Sequence, residues 1–223
     1  DLYALGTDGG ERWVRDIGSV YDEPIVRDGV VYVGSDRGTA YAFGTDGEQL
    51  WRFDAVGDTP VVPSVESVND GVAYVTSDGA VHAIDASDGE ELWRYEGDDR
   101  VSTVGVADGT VYATLAGRVV AYAEGEELWS HEVEGTNSWI RGTAHGNVYF
   151  RHASELRVLD ADDGKERWSV GFGKEFSTVL GEETVYAGVD DLTAFAPDGT
   201  EVWKADLGDS ELDGITVTDD HVY

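Results

Sequence analysis

Tryptophan recurs along this chain at an interval that points to a repeated structural unit. Trp13, Trp51, Trp93, Trp129, Trp168 and Trp203 are separated by 38, 42, 36, 39 and 35 residues. A glycine stands four residues before each one: Gly9, Gly47, Gly89, Gly125, Gly164 and Gly199. Five of these follow aspartate, and Gly125 follows Glu124. Asp-Gly between alternating apolar segments predicts a hairpin, because glycine takes φ > 0 without a Cβ penalty. Short strands are expected before the turns at 2–5, 40–43, 81–84, 119–122, 156–159 and 192–195. A second series, Tyr32, Tyr74, Tyr112, Tyr149, Tyr186 and Tyr223, lies further upstream in strand-forming segments such as 30–33 and 110–113. Asp28-Gly29, Asp70-Gly71 and Asp108-Gly109 add a hairpin ahead of three of these tyrosines, and a further strand precedes that turn, as at 102–106 and 214–218.

Four short antiparallel strands in a unit of this length describe one blade of a β-propeller. Alternation of period 2 excludes a helical repeat such as the tetratricopeptide. The expected fold is all-β: a single propeller domain over 1–223, with repeats ending at the six tryptophans. The chain opens in a third strand and finishes in a second strand at 221–223. Five units and two complementary halves therefore predict six blades, closed by terminal strands that share one sheet and leave no exposed edge. A fragment of an eight-bladed propeller is the alternative.

Charge narrows the partners. Fifteen basic against 46 acidic residues give a formal net charge of −31, which disfavours nucleic acid and anionic lipid surfaces. With 41% hydrophobic residues and 7 Trp, 11 Tyr and 6 Phe, the chain has material for a core despite that charge. Its only lysines are Lys165, Lys174 and Lys204. An acid-rich, lysine-poor surface is expected of a protein from a salt-loving archaeon, where salt screens self-repulsion; an acidic mesophilic or calcium-loaded protein is the alternative. The absence of cysteine excludes disulfides and thiolate sites and leaves the redox compartment open. No apolar run approaches the roughly 20 residues of a membrane span. The sequence begins at Asp1, so a signal or anchor would lie outside it.

The Trp-ended segments resemble the tryptophan-docking motif of the pyrroloquinoline-quinone-type (PQQ-like) repeat propellers, Ala-x-Asp-x-x-Thr-Gly-Lys-x-x-Trp. Residues 83–93 match it at Ala83, Asp85, Gly89 and Trp93, and residues 158–168 at Asp160, Gly164, Lys165 and Trp168. The other four copies are one or two residues shorter. The resemblance covers the whole chain. It implies that each of the six tryptophans is a structural residue lying between adjacent blades, with its indole N–H on a carbonyl.

Catalytic chemistry finds little support. His82, His131, His145, His152 and His221 form no His-x-His or His-Glu-x-x-His pair, and His82 occupies the strand position of Tyr3 and Tyr41, where it is expected to pack. Asp160-Ala-Asp162-Asp163-Gly164 lacks the third oxygen ligand of an EF-hand and is expected to be a hairpin turn. Neither a Gly-x-Ser-x-Gly elbow nor a phosphate loop occurs. Quinone-dependent members of the resembled family carry vicinal cysteines and an Asn among their calcium ligands. Here there is no cysteine, and Asn69, Asn137 and Asn147 are the only asparagines. No cofactor or metal is therefore expected, with quinone and calcium as the unsupported alternative.

One segment, 134–141, interrupts the repeat. Trp139 stands ten residues after Trp129, outside the docking register, and Arg141 follows it. Other strand returns carry Tyr21, Arg100 and Phe176 at the corresponding place. Aromatic and arginine residues on such returns mark a candidate partner-binding surface. The expected function is a non-catalytic protein-interaction scaffold, monomeric and at the cell surface, resembling the branch of the family whose propeller lipoprotein assists outer-membrane protein assembly. A dehydrogenase-like enzyme and a sensor ectodomain of a membrane receptor or kinase are the alternatives, as is a cytoplasmic setting.

Overall fold

In the computed structural model the described residues are all except 56–61, 78, 97–100, 102, 209–211, 213 and 219–220, with the side chain at 103 also left aside. They form two compact units, Asp1–Val104 with Ala123–Glu126, and Gly105–Tyr122 with Glu127–Tyr223. The tryptophan series continues across both units.

In the first unit β1 (Leu2–Leu5) pairs with β2 (Glu11–Arg15). Strands β3 (Ile25–Arg27), β4 (Val30–Ser35), β5 (Thr39–Gly44) and β6 (Gln49–Asp54) follow as a four-stranded sheet. So do β7 (Ser64–Asn69), β8 (Val72–Ser77), β9 (Ala80–Asp85) and β10 (Glu91–Glu96). The second unit takes in most of the sheet of β11 (Thr103–Ala107), β12 (Thr110–Leu115), β13 (Arg118–Ala123) and β14 (Glu126–Glu132). A second sheet holds β15 (Ser138–Ala144), β16 (Asn147–His152), β17 (Glu155–Asp160) and β18 (Glu166–Gly171). A third holds β19 (Ser177–Leu180), β20 (Val185–Gly188), β21 (Asp191–Phe195) and β22 (Glu201–Asp206). In every sheet sequential strands are neighbours, the pattern of propeller blades. Val217 and Val222 form an isolated antiparallel bridge. Among the described residues no helix is long and apolar enough to cross a membrane.

Register explains the two aromatic series. Tyr32 lies opposite Ala42, which lies opposite Trp51, and the same row reads Tyr74–Ala83–Trp93 and Tyr186–Ala194–Trp203. A methyl group in the middle lets the two rings lean over it to centroid distances of 5.8, 6.1 and 5.8 Å. Where Val158 replaces the alanine, Tyr149 and Trp168 stand 6.3 Å apart, the widest of the series. A β-bulge falls directly before the tryptophan in these third-to-fourth strand pairs. It turns Leu50, Leu92 and Val202 outward.

Four of the six docking rings are closed by the next turn along the chain. The indole N–H groups of Trp13, Trp51, Trp129 and Trp168 donate to the carbonyls of Thr45, Ala86, Ala161 and Pro197, all at 2.9 Å. The turn glycines lie on the ring faces: a Cβ at Gly47, Gly89, Gly164 or Gly199 would come within 2.5–2.8 Å of the preceding tryptophan. The glycine read from sequence as a hairpin residue thus serves packing as well. Trp93 is half-buried, and Trp203 departs from the expected docking role, being 39% exposed.

Candidate functional site

The irregular segment belongs to the β15–β16 hairpin. Trp139 sits directly opposite Arg151, so both side chains leave the same face of the sheet. The Arg151 guanidinium lies 5.0 Å over the Trp139 ring centroid and 5.9 Å from that of Phe176, within cation–π range of both. Its Nε donates to the Ala153 carbonyl at 3.0 Å and its Nη2 to Glu175 Oε1 at 2.5 Å. Planar, always charged and stacked, arginine suits this position as lysine would not.

Arg141 owes its place to a bulge. Ile140 pairs with Phe150 and Gly142 with Tyr149, leaving Arg141 as the extra residue between them. A bulge re-aims the residue it expels from the ladder. Gly142, with φ +148°, permits the kink where a Cβ would meet Leu180 at 2.7 Å. Arg141 makes no hydrogen bond or ion pair among the described residues. Partial loss of hydration among its neighbours, and secondarily the charge of Arg151, lower its pKa from the ordinary arginine value.

Both arginines line a cleft of about 550 Å³ that also takes in Lys174, Glu175, Phe176 and Ser177, with Val189 and Leu212 as apolar wall. Lys174 pairs with Asp190 at 2.9 Å, and the Ser177 hydroxyl faces the Leu212 carbonyl at 3.4 Å. The cleft offers cationic and aromatic surface.

Of the residues singled out in the sequence, Trp139, Arg141 and Phe176 meet here. Phe176 corrects the expectation in one respect: it is 6% exposed and stacked on Phe172 at 4.4 Å, a core ring flooring the cleft rather than a presented one. Tyr21 lies in the first unit and is 71% exposed, and Arg100 lies outside the described residues. Arg151 was missed, although a signal existed. The position two residues after the repeat tyrosine is Gly34, Thr76, Thr114 and Gly188 in other copies, and only here is it a large cation.

Two other constellations are accounted for locally. His82 is buried, with Nδ1 2.7 Å from Glu91 Oε1, Nε2 2.9 Å from Ser77 Oγ and its ring edge-on to Phe53. The series resembles a Ser-His-acid relay, with Ser77 buried at 8% exposure. Asp160 takes the N–H groups of Asp162 and Asp163 on one oxygen and Arg167 on the other. These donors, Arg167 foremost, hold its carboxyl below the usual range, and its oxygens are engaged in the turn.

A family model described as outer membrane protein assembly factor BamB matches residues 40–149 and 115–191. No curated protein sequence matches the chain. Among solved structures, BamB from Moraxella catarrhalis superposes with a TM-score of 0.72 at 17% identity, covering 99% of this chain and 74% of that one. A computationally designed protein, Ika8, superposes with 0.76 at 17% identity over 96% and 71%. A fold shared with a designed protein and with 1057 matching chains carries no function by itself.

Proposed function

Because this chain belongs to the family of the outer membrane protein assembly factor BamB, we propose that it is a non-catalytic interaction scaffold whose partner surface centres on Trp139, Arg141 and Arg151. The observation that carries this reading is the cation-and-aromatic cleft at the one hairpin where the repeat is broken. Arginine and tryptophan are the side chains most enriched at interface hot spots. In a chain of net charge −31, such a cluster selects its partner by charge and repels most others. A position at the cell surface completes the proposal and is supported by family membership. The salt-loving archaeal setting rests on the composition and remains part of the proposal.

A photo-crosslinking residue at position 141, expressed in the native cells, tests this. It should capture discrete protein partners that the same residue at Val26, exposed in the first unit, does not capture. Trp139→Ala and Arg151→Ala should each reduce the yield from position 141. Equal capture from both positions, or none from 141, overturns the proposal.

A further inference from the structure

We draw no further inference here: the strongest candidate, the Ser77–His82–Glu91 cluster across β8, β9 and β10, belongs to the packing of its own sheet, with Ser77 and His82 both buried, and the described clefts lie elsewhere.

Discussion

The ring of Trp51 occupies the space that a Cβ at position 89 would need. An ideal Cβ on Gly89 falls 2.8 Å from both Cβ and Cγ of Trp51, on a residue whose φ is +81°. Gly71 in the same sheet has nearly the same φ, +78°, and nothing within 4 Å of its added Cβ. The pair separates backbone strain from packing. Gly71→Ala should cost about 1–2 kcal/mol, the left-handed penalty alone. Gly89→Ala should cost that plus about 1–3 kcal/mol for overpacking. Urea melts of the two variants measure the difference, and equal losses would mean that the indole yields freely.

Trp51 and Trp139 differ in the same way as core and cleft. Trp51 is 5% exposed and bonded to the Ala86 carbonyl, so Trp51→Ala should cost about 3–5 kcal/mol. Trp51→Phe keeps most of the apolar volume but strands that carbonyl, at about 1–3 kcal/mol. Trp139→Ala removes a half-buried ring and one cation–π contact, for about 1–2 kcal/mol. Equal, large losses at 51 and 139 would make Trp139 a core residue and take away its place in the candidate surface.

Glu66 makes stability depend on pH. It is the bulged residue of β7 and accepts a hydrogen bond from Thr76 Oγ1 at 2.8 Å. Burial raises its pKa more than Thr76 and Ser64 lower it, with Asp22 adding a small upward push. The folded protein therefore holds this proton above the unfolded carboxyl range of about 4.3. The resulting stabilisation is fully present below that pH and is lost as pH rises through the folded pKa. Glu66→Gln preserves the acceptor for Thr76 and removes the titration. Thermal melts should show the variant gaining on the wild type from about pH 4 to pH 7. A difference constant across that range would sink the assignment.

Ionic strength should act in the opposite sense to dilution of charge. At a net charge of −31, self-repulsion opposes the compact state. Raising KCl from about 0.1 M to about 1 M shortens the Debye length from about 10 Å to about 3 Å, and the melting temperature should climb across the series. A flat response would remove the salt-adapted expectation drawn from composition.

The repeat was legible because its parts recur at one spacing, and a contact made in every sheet leaves a mark in every copy. Tyr32, Ala42 and Trp51 are visible as a column before any coordinates exist. What stayed hidden depends on single departures. Arg151 is one large residue in a column of small ones, and its meaning requires the register that sets it opposite Trp139. Phe176 reads as a presented aromatic because it stands in a loop, while the ring that buries it, Phe172, lies four residues upstream in the same loop. Trp203 carries the docking signature and is nevertheless 39% exposed, because burial of the ring depends on what packs against it and not on the signature alone.

The docking bonds also bear on how such a chain emerges from a ribosome. They join residues 32, 35, 32 and 29 apart, so no indole waits for more than about one further period of synthesis before its acceptor exists. Closure over so few residues carries a small entropic cost that is the same at every step. An all-β protein usually folds slowly because its pairings are distant; here successive hairpins can be added to a structured edge as they appear. Nascent-chain force measurements should then register a pulling event once per period, each delayed until the Asp-Gly turn beyond the tryptophan has cleared the exit tunnel.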